Sequence, residues 1–133
     1  MDDAAHRIPS RHRVWAVVGC SPDPWRASHG VACFLQERGH TIVPVNPAAG
    51  CDEILGERCW PDPASVPADL GIEVVDIFRR SEVAGVHVDE AIAIGALAVW
   101  MQIGVIDHAA AGRARAAGLE VVMDRCPKIE LEA

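Results

Sequence analysis

Short apolar runs alternate along this chain with stretches whose apolar residues recur at helical spacing. Residues 14–18 (VWAVV) are apolar throughout and are followed by glycine, as expected of a strand that is buried on both faces. Residues 28–38 then carry apolar side chains on one helical face, at Val31, Phe34 and Leu35. Strands that alternate with helices of about 10–15 residues form βαβ units, so the pattern predicts a parallel sheet with right-handed crossovers.

The same alternation continues to the end of the chain as one domain, residues 14–133. Further strands are expected at residues 41–45, 73–78, 97–101 and 120–123, and further helices at residues 82–96 and 107–117. The connection at residues 48–70 is rich in proline, glycine and aspartate, which predicts a short strand at 54–55 and a helical turn at 64–66. Residues 1–13 mix charges with turn formers, and we expect them to form a flexible N-terminal arm.

Composition excludes several classes of function. The chain has 12 basic and 19 acidic residues, a net charge of −7, whereas nucleic-acid binders need a surplus of basic side chains against phosphate. No run approaches the ~18 apolar residues of a membrane span, and no export signal precedes the first strand. We therefore expect a cytoplasmic protein with reduced thiols, and neither nucleic acid nor membrane as a partner.

Five cysteines are scattered along the chain, without a Cys-x-x-Cys motif or a histidine pair at metal-ligand spacing. This distribution favours separate, partly buried thiols over a disulfide framework or a metal centre. A zinc site built from Cys51, Cys59 and a histidine is the minor alternative, because its spacing fits no standard ribbon or finger. The expectation is that no metal is bound.

Polar segments follow the predicted strands at the points where those strands end. They are residues 19–28, 46–47, 79–81, 102 and 124–126, one after each strand in turn. In an open parallel sheet, ligands bind beyond the carboxyl ends of the strands. Four of the eleven arginines lie in these segments: Arg26, Arg79, Arg80 and Arg125. Positive charge beside a helix N-terminus predicts a site for a phosphate-bearing ligand.

Structural roles remain open for the same residues. Ser28 is a candidate helix cap, and Arg79 and Arg80 are candidates for solvated side chains or for pairing with Glu82. The first loop lacks the Gly-x-Gly-x-x-Gly of dinucleotide sites, no P-loop occurs, and the second strand is followed by Asn46 rather than an acid. The residues therefore favour a nucleotide-like anion other than conventional NAD.

Several blocks of sequence in fixed order resemble the stand-alone CoA-binding proteins. They are GCSPDP at 19–24 with Arg26 and Ser28, VPVNP at 43–47, ILGE at 54–57, VDIFRRSE at 75–82, DEAIAIGA at 89–96, VWMQ at 99–102 and VVMDRCPKIE at 121–130. Those proteins are similar in fold to the N-terminal domain of the succinyl-CoA synthetase α subunit. The resemblance implies an α/β fold, a Rossmann-like three-layer α/β/α domain with a mostly parallel five- or six-stranded sheet. It also implies that the domain binds coenzyme A or an acyl-CoA.

The resemblance further implies which residues hold the cofactor. The loop of residues 21–28 would bind the phosphates, residues 46–47 would lie against the nucleotide portion, and Phe78 with the two following arginines would line the groove. The end of the fourth strand would lie near the pantetheine arm. The implied CoA-binding residues are Gly19, Cys20, Ser21, Arg26, Ser28, Val45, Asn46, Pro47, Phe78, Arg79, Arg80, Met101 and Gln102.

No reaction is implied together with the binding. The synthetase's phosphohistidine and ligase domain have no counterpart in these residues, and no nucleophile, base and orienting group occur as a set. We therefore expect a regulatory or accessory CoA binder that acts as a homodimer or with a protein partner. Two alternatives stay open: a nucleotide-cofactor-dependent enzyme that uses a reactive Cys126 thiol beside Arg125, and an interaction subunit with a vestigial groove.

Overall fold

The computed structural model describes residues 3–48 and 53–132, which form a parallel sheet with helices on both faces. The strands are β1 (Val14–Val18), β2 (Thr41–Val45), β3 (Glu53–Ile54), β4 (Glu57–Arg58), β5 (Val74–Ile77), β6 (Ala98–Met101) and β7 (Glu120–Val122). The helices are α1 (Ala4–Arg11), α2 (Ala27–Glu37), α3 (Ser81–Ala93), α4 (His108–Ala116) and α5 (Pro127–Glu132). The five long strands and three helices expected from the periodicity are present, with ends within three residues of those expected.

The main sheet has the strand order β2-β1-β5-β6-β7, and every neighbouring pair of strands is parallel. Strands β5 and β6 are buried along their whole length, which explains why their sequences are continuous apolar runs. The chain passes from β1 to β2 on one side of β1 and later to β5 on its other side. A reversal of this kind opens a crevice at the carboxyl ends of the two central strands.

The two faces of the sheet are covered by different helices. Helices α3 and α4 pack on one face through small side chains, Ala84, Val88, Ala91, Ala110, Ala111 and Ala114. Helices α1 and α2 pack on the other face, where Trp15 and Trp100 form the centre of a second apolar cluster with ring centroids 5.7 Å apart. The Rossmann-like three-layer α/β/α fold with a five-stranded parallel sheet is therefore confirmed.

The connection between β2 and β5 contains the short elements that its composition predicts. Strands β3 and β4 form a two-residue antiparallel hairpin, and a 3-10 turn at Pro63–Ser65 is capped by the Asp62 carboxylate, which accepts a hydrogen bond from the Ser65 amide at 2.8 Å. A second 3-10 turn follows at Ala68–Leu70. Cys51, named in the alternative zinc site, lies outside the described residues.

In the described part of the expected flexible arm, residues 3–13, the chain forms helix α1 instead. The Asp3 carboxylate caps it by accepting a hydrogen bond from the His6 amide at 3.2 Å, and Ile8 is fully buried in the same apolar cluster as Trp15. The Arg7 guanidinium binds the Glu120 carboxylate on β7, with an Nε–Oε2 distance of 2.8 Å. A helix this short owes its stability to tertiary burial, which local sequence does not reveal. The same reason explains why α5 was not expected.

Candidate functional site

The carboxyl ends of β1, β2 and β5 surround a cleft of about 390 Å³, which we call the strand-end cleft. It lies where the strand order reverses, the place at which open α/β sheets bind ligands. Its lining residues are Gly19, Ser21, Arg26, Ala27, Ser28, Asn46 and Phe78. Six of these seven are among the residues expected to bind the cofactor, although they come from three separate segments of the chain.

Gly19 allows the first loop to pass directly against the end of β5. Its φ of +84° lies in the left-handed region that favours glycine. A Cβ at this position would lie 2.5 Å from the Phe78 carbonyl oxygen and 3.1 Å from Cδ of Arg79. The backbones of the two segments can therefore approach this closely only because residue 19 has no side chain.

Hydrogen bonds hold the loop between β1 and α2 in one conformation. The Ser21 amide donates to Oγ of Ser28 at 3.0 Å, and Oγ of Ser21 accepts from the Asp23 amide at 3.0 Å. Oδ1 of Asp23 accepts from the Trp25 amide at 3.0 Å. Ser28 is buried and lies one residue inside the helix, so it closes the loop and is not the helix cap that its position also suggested.

The N-terminus of α2 opens into the strand-end cleft without a side-chain cap. The N-cap residue is Arg26, whose side chain makes no capping hydrogen bond. The amides of the first helical turn have no acceptor within the helix, and the helix dipole adds partial positive charge at this end. Both effects favour a bound anion, and the Arg26 guanidinium adds a full positive charge to the same lining.

Asn46 ties the end of β2 to the first loop. Its Nδ2 donates to the Cys20 carbonyl at 2.9 Å, and its Oδ1 accepts from the Ala48 amide at 2.9 Å. The Val45 carbonyl accepts from the amides of Gly19 and Cys20, at 2.7 and 3.3 Å. Cys20 and Val45 were expected to touch the cofactor, but both side chains are buried, and these residues shape the loop through their backbones.

The four arginines expected at this edge do not share one environment. In the part of the chain that the structure describes, Arg26, Arg79 and Arg80 form no ion pair, and neither of the last two pairs with Glu82. Arg80 is the N-cap residue of α3 and, like Arg26, makes no capping hydrogen bond. Arg125 instead binds Glu130 at 3.2 Å and Asp3 at 3.6 Å. Three of the four side chains are thus unpaired, and of these Arg26 lines the strand-end cleft whereas Arg79 and Arg80 lie outside its lining.

The end of β6 was expected to contact the cofactor, but its side chains are buried. Met101 has no exposed surface and packs under α3 and α4, so its side chain does not reach the strand-end cleft. Gln102 is buried too, and its Nε2 donates to Oδ1 of Asp76 at 2.6 Å. Pro47 is exposed beyond the cleft lining.

Asp76 is a buried acid that the sequence analysis did not single out. It lies in the central strand β5 with no exposed surface, and burial raises its pKa to about 8, against the opposing effect of the Gln102 hydrogen bond. Among the described residues, no group donates to its second oxygen, Oδ2. Its signal in the sequence is an acid inside an apolar run, flanked by Val75 and Ile77. A carboxyl group in this setting is protonated at neutral pH.

Cys126, the thiol of the alternative enzyme hypothesis, is half-buried against the cluster that contains Trp15 and Trp100. Its neighbour Asp124 accepts a hydrogen bond from the Gly104 amide at 2.7 Å and does not pair with Arg125. The described residues contain no group of three metal-ligating side chains. In this part of the chain, therefore, the strand-end cleft is the site whose chemistry points to a ligand.

The known proteins that match this chain decide its family. A family model described as a CoA binding domain matches residues 13–132. The chain belongs to this CoA-binding family. An uncharacterized protein, YneT of Bacillus subtilis (strain 168), is 35% identical over 122 residues, which cover 92% of this chain and 87% of YneT.

Two solved structures show how closely the fold of this CoA-binding domain is shared. A hypothetical protein from Pyrococcus horikoshii OT3 is 36% identical, with a TM-score of 0.90 over 99% of this chain and 90% of that one. A Thermus thermophilus protein designated cell-free ID.343 is 31% identical, with a TM-score of 0.86 over 99% of this chain and 98% of that one. The resemblance to CoA-binding proteins is thus confirmed. No helix among the described residues of this domain is long and apolar enough to cross a membrane.

Proposed function

We propose that this protein binds coenzyme A or an acyl-CoA in the strand-end cleft and does not itself transform the ligand. One observation carries the proposal: the uncapped N-terminus of α2 and the unpaired Arg26 line a cleft at the point where the strand order reverses. The unpaired Arg79 and Arg80 follow Phe78 of the same lining in the chain. Membership of the CoA-binding family supports CoA as the source of the anionic groups.

The charge of the ligand explains why the arginines are found here. Coenzyme A carries a pyrophosphate and a 3′-phosphate, whereas the protein has a net charge of −7 and repels anions at long range. A local cluster of guanidinium groups and helix amides overcomes that repulsion, since arginine binds phosphate through two parallel hydrogen bonds. The acidic surface elsewhere then discourages binding of the ligand outside the cleft.

The lining of the cleft supports the contacts proposed for Ser21, Arg26, Ser28, Asn46 and Phe78, and those proposed for Pro47, Arg79, Arg80 and Gln102 rest on the resemblance to CoA-binding proteins. The amides at the start of α2 and the Arg26 side chain bind the pyrophosphate, with Ser21 and Ser28 keeping the loop in place. Arg79 and Arg80 bind the remaining phosphate, and Phe78 packs against the ligand. Asn46 and Pro47 lie beside the nucleotide portion, and Gln102 lies toward the pantetheine arm.

Binding without catalysis fits the groups near the cleft. Ser21 and Ser28, the hydroxyl groups of the lining, hold loop amides, and no histidine, aspartate or glutamate of the described chain lines the cleft as a base. The protein then acts as a regulatory or accessory factor, as a homodimer or with a protein partner. The cytoplasmic location expected from its thiols belongs to the same proposal.

Isothermal titration with CoA tests this proposal. We expect Arg26→Ala to weaken CoA binding by about tenfold or more, because a hydrogen bond to a charged group contributes about 1.5–3 kcal/mol. Arg115→Ala is the matched control, since that arginine is exposed on α4 outside the cleft lining and should leave the affinity unchanged. Absence of CoA binding by the wild-type protein at submillimolar concentration, or equal losses in the two variants, would overturn the proposal.

Mass spectrometry of the same samples tests the absence of catalysis and the oligomeric state. We expect acetyl-CoA to be recovered unchanged after incubation with the protein. Hydrolysis of the thioester, or transfer of the acetyl group to Cys126, would contradict a role in binding alone. Native spectra of the purified protein report any retained ligand and the number of subunits together, and a site that is always empty would favour the vestigial groove.

A further inference from the structure

Trp25 stands apart from the other tryptophans of this chain because its side chain is 95% exposed. Trp15 and Trp100 have no exposed surface, and Trp60 is partly covered by the Arg58 guanidinium, which lies 4.0 Å from the centre of its ring. Exposing a large apolar ring to water forgoes the free energy of burying it. An indole that no other described element covers is therefore available to a partner or a ligand.

The position of Trp25 is fixed by the loop that leads into α2. Its amide donates to Oδ1 of Asp23 at 3.0 Å, and the next amide, that of Arg26, donates to the Asp23 carbonyl at 3.0 Å. Arg26 lines the strand-end cleft, and successive Cα atoms are about 3.8 Å apart. The backbone of Trp25 is thus held next to the cleft lining, one residue from a proposed phosphate contact.

The size of the strand-end cleft indicates that part of the ligand lies on this rim. Its volume of about 390 Å³ is near the lower end of the range of about 300–1,000 Å³ for drug-sized ligands. Coenzyme A combines an adenine, a ribose, three phosphate groups and a pantetheine arm, which is more than such a cleft encloses. The groups that flank the pyrophosphate must therefore lie across its edges.

We propose that the indole of Trp25 stacks on the adenine base of the bound nucleotide and so selects an adenosine-containing ligand over a bare phosphopantetheine. This inference rests on the proposed function and adds a specificity-determining residue to it. An aromatic face stacks on a nucleobase, since both have a π-surface, and an adjacent guanidinium that holds the phosphate brings the base within reach. Trp25 makes no contact with a reacting atom in this proposal and acts only in recognition.

Titration of Trp25→Ala and Trp25→Phe with three ligands tests the inference. We expect Trp25→Ala to weaken binding of CoA and of adenosine 3′,5′-bisphosphate by about tenfold, as base–aromatic stacking implies. The affinity for 4′-phosphopantetheine should not change, because that ligand lacks the base. Trp25→Phe should keep most of the CoA affinity, since a phenyl ring also stacks. Because residue 25 is exposed, the thermal unfolding midpoint of both variants should equal that of the wild type.

Tryptophan fluorescence gives an independent measurement. We expect CoA to quench emission from the wild-type protein more strongly than emission from Trp25→Phe, because Trp15 and Trp100 are buried and the Arg58 guanidinium covers the Trp60 ring. Wild-type CoA affinity in Trp25→Ala, or an equal loss for 4′-phosphopantetheine, would overturn the stacking contact while leaving the proposed function intact. Failure of the wild-type protein to bind CoA would instead overturn the proposed function itself.

Discussion

The two edges of the sheet each hold a cavity of about 390 Å³, yet the two cavities differ in chemistry. The strand-end cleft at the carboxyl edge contains Arg26, two serines and an uncapped helix N-terminus. The cavity at the amino edge lies between the 3-10 turns and the starts of β5 and β6, and its side chains are uncharged, as at Val66, Ile72, Ile94 and Leu97. Cavity volume alone therefore does not identify a functional site in this molecule. The unsatisfied amides and positive charges separate one edge from the other.

Two carboxyl groups close together in the chain, Glu73 and Asp76, also differ between the two edges, because their pKa values shift in opposite directions. Glu73 lies at the amino edge, where burial alone would raise its pKa, but hydrogen bonds from His12, Arg13 and Val14 outweigh burial and lower it. Asp76 lies three residues further on, where burial dominates and its single hydrogen bond from Gln102 does not compensate. The amino edge stabilises a negative charge on the protein, whereas the interior near the carboxyl edge disfavours one.

The largest effect that we predict concerns Asp76 and pH. Its pKa rises from 3.8 to about 8 on folding, so between these values the folded chain binds a proton that the unfolded chain has released. Its contribution to stability is therefore fully present below about pH 4 and is lost as pH rises toward 8, at about 1.4 kcal/mol per pH unit. We expect the free energy of unfolding in urea to fall with rising pH in the wild type, and to fall less steeply in Asp76→Asn, which lacks the titrating carboxyl group. Parallel pH profiles for the two proteins would contradict a buried, protonated Asp76.

The next largest effect is the loss of stability when a glycine at either edge of the sheet is replaced by alanine. We expect Gly19→Ala to lower the free energy of unfolding by about 3 kcal/mol or more, because the new Cβ adds a clash with the Phe78 carbonyl to the cost of a positive φ. Gly118→Ala, with a φ of +91° and no atom within 4 Å of the added Cβ, should cost only about 1–2 kcal/mol. Equal losses in chemical denaturation would show that the close approach at residue 19 is unimportant.

The smallest effect concerns which phosphate of CoA binds at the N-terminus of α3, where Arg80 is the N-cap residue. We expect Arg80→Ala to weaken CoA by about tenfold, as loss of a charge-assisted hydrogen bond implies, and to weaken dephospho-CoA much less. This difference, measured by calorimetry, would assign Arg80 to the 3′-phosphate. Equal losses for the two ligands would assign it to the pyrophosphate instead. Arg115→Ala again serves as the control.

Much of the fold was predictable because its signals are local. The buried strands are apolar runs such as residues 14–18, and helix α2 has a clear apolar face. Polar loops follow each strand in the chain, and parallel strands bring those loops to one edge of the sheet. Six of the thirteen residues expected at the site line the strand-end cleft for this reason. The sequence blocks that resemble CoA-binding proteins gave the family correctly.

Other features depend on partners that are distant in the chain, and no local pattern reveals them. Helix α1 is held by burial of Ile8 against the sheet. Arg125 was expected to bind phosphate, but it forms ion pairs with Asp3 and Glu130 instead. Met101 faces the core because strand alternation and the neighbouring helices set its direction. The amino-acid sequence by itself determined the order of strands, helices and polar loops, since periodicity and turn chemistry are short-range. Only the tertiary structure decided which charges remain unpaired, because pairing depends on segments that meet after the chain has folded.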